Sequence, residues 1–470
     1  ISIAHVNDVH AHYSPFNRQG NTCTQDDIDA GHCYGGAARM ATVFKTLRKR
    51  NPGHTYSLMA GDEFQGTDFY TYTKGAISAK VMNYIGYDLM TIGNHEFDEG
   101  PEHLAKFFQE LRFPKVCANA NFRGVPELDD QVRPYHIFKE HSLAVIGYIT
   151  KATGYISSAG PLVSFGDPAP AVQRVIDRLR SKGIKRIIAL SHNGYEEDME
   201  VARRTRGLSL IVGGHTHTYL SMRPDEPESK GLYPTPVKGT DGLTTYVVQA
   251  KAFGEYIGIL DVTFNDHGRI DSISGAPIHV ELDVPEDREM AQMVQGWRKE
   301  LDVITMKEVG RARAEFDRTS CQTGECQAGN LVTDSFLYSR RAHPDVRAAF
   351  IDAGSVRAGI PKGVIRLKDA KEAMPFDNAL VDITMTGRQL YQMFEDILAK
   401  ENRESGRAIS TFIQVSGLIV EYNPRSSTKR QLSSINVHSL DKNDFEDVDP
   451  AATYTLVTTD YLARGGDGFL

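Results

Sequence analysis

The chain has few cysteines, a single tryptophan and no long apolar run. Its 470 residues include 5 Cys and 1 Trp, so the fold cannot rest on a disulfide framework and must rely on a hydrophobic core. Nothing approaches the 18 or so consecutive apolar residues of a membrane helix, so we predict no transmembrane segment. Positive charge is not in excess either, because 53 Lys and Arg stand against 61 Asp and Glu, a net charge of −8. This balance argues against nucleic acid as a partner.

Four of the cysteines fall into two close pairs, Cys23 with Cys33 and Cys321 with Cys326, in polar loop sequence that contains glycine. The fifth, Cys117, lies in an apolar run. This contrast predicts two short loop disulfides and one buried thiol, and it favours an oxidising compartment over the alternative of reduced surface thiols. The chain begins in a strand-like run without an initiator Met, as a processed secreted protein would.

From residue 1 to about 265, short β-rich runs alternate with segments of helical period, the pattern of an α/β domain. We predict amphipathic helices at Ala37–Arg50 and Ala169–Lys182, and a long surface excursion rich in Pro and Gly over residues 218–245. The predicted strands are Ser2–Val6, Tyr56–Ala60, Asp88–Ile92, Leu143–Ile149, Arg186–Leu190 and Leu208–Val212.

A helical stretch from Val284 to about Thr305 predicts a connecting helix. Beyond it we predict a second unit of α+β type. Its helices are expected at Gly329–Arg341 and Gly387–Lys400, and its strands at Val346–Ile351, Phe412–Tyr422 and Thr453–Thr459. The expected division of the chain is therefore 1–283, a linker at 284–309, and 310–470.

Five of the predicted strands lead into short segments rich in Asp, His and Asn. In open α/β folds, ligands collect at the carboxyl ends of the strands, so these segments should meet in one pocket. Oxygen and imidazole groups in this number are too many for one metal ion and suit two. The segments are Asn7–His10, Gly61–Asp62, Gly93–Asp98, Ser191–Asn193 and Gly213–His217.

A single histidine or an Asp after Gly is more often a surface, core or turn residue than a ligand. We give that interpretation to His5, His54 and His141, and also to His12, although His12 is expected close to the site. Five strand ends in succession are not explained by turn chemistry, and glycine beside three of them lets the backbone approach closely.

These motifs resemble those of the calcineurin-like metallophosphoesterase superfamily, and the whole chain resembles the secreted 5'-nucleotidase family. That family includes ecto-5'-nucleotidases, UDP-sugar hydrolases and apyrases. The resemblance implies an α/β fold in which an N-terminal metallophosphoesterase domain, a β-sandwich flanked by helices, is joined by a linker helix to a C-terminal α+β nucleotide-binding domain. It also implies that the domains close on the substrate by rotation.

Carried over residue by residue, the resemblance implies two divalent metal ions with Asp62 as the shared ligand. One metal would be held by Asp8, His10, Asp62 and His217, and the other by Asp62, Asn94, His192 and His215. Zinc is our first expectation, with manganese and iron as alternatives. The resemblance makes His95 the catalytic histidine and Asp98 the carboxylate that orients it. An N-cap before Gly100 is the alternative role for Asp98.

In the second domain, Asp352–Arg357 resembles the substrate segment of the family. The implied substrate residues are Asp352, Gly354, Arg357, Phe376, Tyr461 and Asp467, with Phe376 and Tyr461 as the two walls of a nucleobase slot. The resemblance also implies a disulfide between Cys321 and Cys326. Two residues depart from the family pattern: Asp352 replaces the usual Asn, and Gln322 stands where some members have a phosphate-binding Arg.

The expected function is removal of phosphate from extracellular nucleoside 5'-phosphates. The alternatives are an apyrase or UDP-sugar pyrophosphatase on the same metal centre and, in a different class, a protein that sequesters nucleotides without turnover. We expect a secreted or extracellular protein, with surface anchoring through a further C-terminal segment as an alternative.

Overall fold

Two β-sheets pack face to face in the N-terminal part of the chain. The structure is a computed structural model that describes residues 1–223, 225–343, 345–376, 378–409, 411–423, 432–439 and 444–469. In the first sheet, Ser2–Val6 lies between the parallel strand Thr55–Met59 and the antiparallel strand Tyr256–Phe264. The other members of this sheet are Leu89–Thr91, Lys115–Val116, Val132–Arg133, Ile270–Ser274 and Pro277–His279.

The second sheet has a parallel centre and antiparallel edges. Its parallel strands are Leu143–Ile149, Arg186–His192, Leu210–Val212 and Thr244–Val248, and its edges are Tyr135–Phe138 and Thr235–Lys238. The excursion predicted over residues 218–245 therefore ends in β-structure. The sequence does not predict the strand Thr235–Lys238, because only Val237 is buried and because proline, here Pro236, is found in edge strands but rarely in central ones.

Side-chain alternation along the strands divides the core into two layers. Ile3 and Leu58 point between the sheets, whereas Val6 and Met59 point toward a layer of helices on the outer face of the first sheet. The predicted β-sandwich flanked by helices is confirmed. The helices of this part are Gln25–Asp29, Ala37–Arg50, Asp68–Thr71, Ala76–Ile85, Pro101–Glu110, Pro126–Asp129, Thr153–Ile156, Pro168–Ser181 and Tyr195–Arg204, and a two-stranded sheet joins Ala120–Asn121 to Ser164–Phe165.

The helix predicted from Val284 begins later, at Arg288, and ends at Thr305 as expected. The Asp287 carboxylate accepts a hydrogen bond from Met290 N at 3.0 Å and so caps the helix at this point. Three apolar residues of the helix, Met290, Val294 and Leu301, join the core of the first unit. The two units are Ile1–Arg18 with Thr22–Val303, and Gln19–Asn21 with Ile304–Leu470. A separate linker at 284–309 stays a prediction.

The second unit is built around a four-stranded sheet in the order Leu380–Thr386, Thr453–Thr459, Val346–Asp352, Ile413–Ser416. The predicted strand Phe412–Tyr422 is in fact two strands, because Gly417 at φ 74° turns the chain into a separate sheet of Leu418–Tyr422, Leu432–His438 and Phe445–Asp447. Two further strand pairs lie in the described part of this unit, Glu308–Ala312 with Gly363–Arg366 and Glu401–Asn402 with Arg407–Ala408. The helices are Gln327–Ser339, Leu367–Ala373, Gly387–Ala399 and Asp460–Ala463.

The cysteines pair as predicted. Disulfides join Cys23 to Cys33 and Cys321 to Cys326. Cys117 is a buried free thiol, and burial raises its pKa to about 12. No helix in the described part of the chain is long and apolar enough to cross a membrane.

Candidate metal centre and substrate-binding edge

The seven predicted metal ligands lie together at the carboxyl ends of parallel strands. The register brings Val6 level with Met59, and Met59 level with Met90, so the loops that follow these strands leave the same edge of the first sheet. His192 ends its strand in the second sheet. Within the described part of the chain, three sets of side chains have ligand atoms close enough to hold an ion: Asp8 with His10 and His217, His10 with Asp62 and His95, and Asp62 with His192 and His215.

The first set surrounds one oxygen of Asp8. His217 Nε2 lies 3.3 Å from Asp8 Oδ1, and His10 Nε2 lies 4.0 Å from the same oxygen. The two histidine nitrogens are 3.3 Å apart. Ligands that share a tetrahedral metal at about 2.0–2.2 Å stand roughly 3.3–3.6 Å from one another, so this spacing suits a bound cation.

The second set surrounds Asp62. Its Oδ2 atom lies 3.1 Å from His192 Nε2, which is itself 3.2 Å from Asn94 Oδ1. The same Asp62 oxygen is 3.8 Å from His10 Nε2 of the first set. Asp62 therefore stands between the two groups of ligands, where a residue shared by two cations has to be.

Hydrogen bonds on the outer side of the centre turn the ligand atoms inward. His10 Nδ1 and His192 Nδ1 each lie 2.7 Å from a backbone carbonyl, of Phe64 and Ala60 respectively. Because a carbonyl only accepts, both Nδ1 atoms must carry a proton, so that in the neutral imidazole Nε2 presents its lone pair to the centre.

Asp8 is oriented in the same way. Its Oδ2 atom accepts hydrogen bonds from Asn7 Nδ2 and His215 N at 2.8 and 2.9 Å, while its buried Oδ1 atom accepts none from the described residues. A buried carboxylate oxygen without a donor is costly unless a cation meets it. The residues present therefore fit divalent metal ions.

The centre attracts positive charge. Burial by itself lowers the pKa of His192, but Asp62 and Asp8 outweigh burial and raise that pKa to about 10. In Asp62, burial favours the neutral acid, yet the charges of His192 and His95 hold the pKa of its carboxyl well below the usual range. The negative charges of two buried carboxylates need a positive charge nearby, and a bound cation would supply it.

The predicted ligands can converge because the backbones of the loops that carry them approach one another closely. Five of the seven predicted ligands have positive φ, between 48° and 84°, which is rare for residues with a Cβ. A Cβ on Gly93 would collide with the Asp62 carboxylate. The prediction that glycine admits the backbone at these strand ends is confirmed. The ligands with positive φ are Asp8, His10, Asp62, His215 and His217.

Glu96 lies within one of the predicted segments without a predicted role, and the structure gives it one. Its buried carboxylate accepts hydrogen bonds from the amides of Gly93, Glu63 and Asp62 at 2.6, 2.7 and 3.0 Å. One side chain thus ties together the two loops that carry Asp62 and Asn94. No spacing rule could identify it, because its partners are backbone groups.

Phe253 is a second residue that sequence reasoning missed. Its ring stacks on His12 at a centroid distance of 3.9 Å and meets the rings of His217 and His10 edge-on at 5.7 and 6.0 Å. His12 is thus close to the centre, as expected. His5 is buried in the core with its Nε2 atom 2.8 Å from the Tyr233 hydroxyl.

His95 and Asp98 form a pair beside the ligands. His95 Nδ1 lies 2.7 Å from Asp98 Oδ2, and both side chains are mostly buried. Gly100, and not Asp98, is the N-cap of the helix Pro101–Glu110, so the alternative role for Asp98 is wrong. The His95 amide donates to Asp62 Oδ1 at 3.0 Å, which links the pair to the centre.

The predicted substrate residues of the second unit share one edge of its four-stranded sheet. Asp352 ends the strand Val346–Asp352, and Tyr461 follows the neighbouring strand that ends at Thr459. Phe376 precedes the strand that starts at Leu380, which pairs with Thr459. Two hydrogen bonds between Ala379 and Asp460, of 2.8 and 2.9 Å, join the segments that carry the two rings.

Charges and aromatic rings meet at this edge. The Arg357 guanidinium carbon lies 6.0 Å from the centre of the Phe376 ring, and the Tyr461 hydroxyl donates to Asp467 Oδ1 at 3.0 Å. The two departures from the family pattern bind protein groups here. Asp352 accepts from Ser355 N and Oγ, both at 2.6 Å, and Gln322 Oε1 accepts from the Thr411 hydroxyl at 3.2 Å.

Arg318 was not singled out by the sequence. Its Nη1 atom donates to the Arg357 carbonyl at 2.9 Å, while its buried Nε atom has no hydrogen-bond partner among the described residues. Burial, and next the charge of Arg357, lower the pKa of Arg318 to about 10. A second guanidinium thus adds positive charge beside Arg357.

Comparison with known proteins agrees with this geometry. Residues 1–219 match the family described as calcineurin-like phosphoesterase, and residues 303–470 match the 5'-nucleotidase C-terminal domain. The chain is 34% identical to a snake venom 5'-nucleotidase of Gloydius brevicauda over all of this chain and 82% of that protein, and 32% identical to a 5'-nucleotidase of Bos taurus over all of this chain and 84% of that one. The crystal structure of a 5'-nucleotidase precursor from Thermus thermophilus superposes with a TM-score of 0.88 at 31% identity, covering all of this chain and 91% of that one.

The sandwich and its ligand cluster define a metallophosphoesterase, a class whose fold implies divalent metal ions. Since the chain is 34% identical over its whole length to a curated 5'-nucleotidase and carries the C-terminal domain of that family, it belongs to the 5'-nucleotidase family. The protein is a metal-dependent phosphohydrolase that acts on nucleotides, as its sequence predicted.

Proposed function

We propose that the protein removes the phosphate of nucleoside 5'-monophosphates outside the cell. The choice of substrate rests on two observations in the second unit. The Arg357 guanidinium carbon lies 6.0 Å from the centre of the Phe376 ring, and Tyr461 follows the strand that pairs with the strand preceded by Phe376. A guanidinium suits the phosphate, and aromatic rings suit a base by stacking. The two disulfides and the venom relative support an extracellular location.

In this proposal the first unit holds two divalent cations, zinc being our first expectation. Asp8, His10, Asp62 and His217 would hold one ion, and Asp62, Asn94, His192 and His215 the other. Such ions supply charge neutralisation at the phosphoryl group and lower the pKa of the attacking water. The spacing of the ligand atoms and the outward carbonyl contacts of His10 and His192 support the assignment.

His95 would act on the phosphoryl group itself. Asp98 accepts from its Nδ1, which fixes the ring and leaves Nε2 as the atom to donate to a phosphoryl oxygen as negative charge develops. This division of labour makes Asp98 a positioning residue and His95 a catalytic one.

In the second unit, the nucleobase would lie between Phe376 and Tyr461, with Arg357 on the phosphate side. Gly354 N donates to the Thr411 hydroxyl at 2.8 Å, which holds the turn between Asp352 and Arg357. Asp467, which accepts from the Tyr461 hydroxyl, offers a carboxylate to the ribose hydroxyls. Arg318 supports Arg357 through its backbone carbonyl.

A second candidate is hydrolysis of nucleoside di- or triphosphates or nucleotide sugars on the same centre. Asp352 and Gln322 favour it, since both replace positive or donor groups of the family pattern and both bind protein partners here. Phosphate release from AMP, ADP, ATP and UDP-glucose, before and after chelation, tests both candidates. The proposal requires AMP to have the highest kcat/KM and chelation to abolish its turnover, whereas a preference for ADP, ATP or UDP-glucose would select the second candidate.

A further inference from the structure

Gln65 lies beside the His95–Asp98 pair but belongs to neither the ligand set nor the pair. Its side chain is buried, and its Nε2 atom donates to Asp98 Oδ2 at 2.7 Å. The same oxygen is 2.7 Å from His95 Nδ1. One carboxylate oxygen thus accepts two hydrogen bonds, one from the histidine and one from a neutral amide.

The backbone at Gln65 is held in an unfavourable conformation. Its φ is 70°, in the left-handed region that residues with a Cβ rarely adopt. The residues on both sides are fixed by contacts with a predicted ligand: the Phe64 carbonyl accepts from His10 Nδ1, and a Cβ on Gly66 would collide with the His10 carbonyl. Strain of this kind persists where the surroundings determine it, and here it directs the Gln65 amide at Asp98.

The second hydrogen bond restricts Asp98. Asp98 closes the single helical turn His95–Phe97, and with one partner its carboxylate could rotate and present either oxygen to the imidazole. A second donor on the same oxygen removes that freedom. The amide carries no charge, so its contribution is orientation rather than a change in the field at His95.

We propose that Gln65 is a positioning residue that holds the Asp98 carboxylate, and through it the His95 ring, in the orientation needed for hydrolysis. The inference rests on the proposed roles of His95 and Asp98. It adds a third member to the pair, placed by the same loop that supplies Asp62.

The test is a double-mutant cycle with AMP as substrate. Gln65→Met keeps the length of the side chain and removes the donor. Gln65→Asn keeps an amide but withdraws it, and Asn tolerates positive φ better than Gln, so this variant covers the case in which Gln65→Met fails to fold. Both are measured in the native and in the Asp98→Asn background. Gln131→Met, which removes an amide that donates to the Ala105 and Glu127 carbonyls, is the matched control.

We expect Gln65→Met and Gln65→Asn to lower kcat about 10-fold or more, with KM changed less than about twofold and metal content equal to that of the native protein. In the Asp98→Asn background the same substitutions should change kcat less than about twofold, because the carboxylate that they orient is gone. The control should leave kcat and KM unchanged in both backgrounds.

Four results would overturn the inference. Loss of metal in step with activity would make Gln65 a support of the ligand loop, and full additivity with Asp98→Asn would deny the coupling. A normal kcat for both Gln65 variants, with Asp98→Asn impaired, would refute the role of Gln65 and leave the proposed function intact. A normal kcat for Asp98→Asn itself would show that the His95–Asp98 assignment is wrong, and the role of Gln65 would fall with it.

Discussion

The proposed base slot can be tested by removing one wall at a time. Phe376→Ala and Tyr461→Ala each delete a ring on which a base would stack, an interaction worth roughly 1–3 kcal/mol, or about 5- to 150-fold in affinity. Phe376→Ala also removes the ring that lies 6.0 Å from the Arg357 guanidinium, a contact worth roughly 0.5–1 kcal/mol. That contact lies within the protein and adds nothing to base stacking, so we expect both substitutions to raise KM for AMP within the same range.

The assay compares AMP with p-nitrophenyl phosphate, an ester that engages the slot weakly. For AMP, each substitution should raise KM within the range above while kcat falls much less, because a ring that touches the base contributes mainly uniform binding. For p-nitrophenyl phosphate, kcat/KM should change little. Tyr461→Phe keeps the ring and removes only the hydroxyl that donates to Asp467, so its KM should stay near the native value.

A substitution of an exposed aromatic residue in the same unit serves as the control. Tyr338 is 66% exposed, and Tyr338→Ala should leave both substrates unaffected. If Phe376→Ala and Tyr461→Ala lower activity equally for AMP and for p-nitrophenyl phosphate, the rings are structural. Recognition of the base by this edge of the sheet would then be refuted.

Three further predictions concern the first unit. Asp62→Asn should abolish turnover and lower metal content while the circular dichroism spectrum stays native, because a neutral amide oxygen is a poor shared ligand for two cations; full activity in this variant would contradict the two-metal proposal. His95→Ala should keep the native metal content and lower kcat by about 10²–10⁴, and loss of metal would instead make His95 a ligand, as its place in one of the three candidate sets allows. Burial raises the pKa of Asp198 to about 7, so the folded state resists its ionisation and native stability should fall as pH rises from about 4 to 7. Asp198→Asn removes this titration. The free energy of unfolding of the variant minus that of the native protein, measured in denaturant titrations, should therefore rise by up to roughly 4 kcal/mol from pH 4 to pH 8. The same difference at both pH values would contradict the reasoning.

Elements with a clear hydrophobic period were predictable from the sequence. The strands Ser2–Val6 and Leu143–Ile149 and the helix Ala37–Arg50 have the predicted bounds, because each is long enough for its pattern to stand out from the flanking residues. The edge strand Thr235–Lys238 was missed since it buries little. The break at Gly417 was missed because a β-rich run does not reveal that its two halves join different sheets.

The predicted ligands could be collected from the sequence because each lies at or just beyond the end of a strand. The residues that orient the ligands left no comparable signal. Glu96 accepts hydrogen bonds from backbone amides, and the carbonyls of Phe64 and Ala60 accept from imidazoles. Phe253 packs its ring against histidine rings. Such contacts depend on the path of the chain and not on the type of residue at a fixed spacing.

The backbone conformation of the ligands explains why these supports are needed. Each non-glycine residue in the left-handed region costs of order 1–3 kcal/mol, and five of the seven predicted ligands have this conformation. The summed conformational cost of these residues exceeds the stabilisation of about 1 kcal/mol that a single hydrogen bond contributes. Several contacts must therefore act together to hold the loops. Glu96, with its accepted amide bonds, and the sandwich core beneath the strand ends supply them. Substitutions at such supports should therefore weaken metal binding without removing any ligand. This property separates them from Gln65, whose side-chain amide donates to the Asp98 carboxylate and not to a predicted ligand or to a backbone group of the ligand loops.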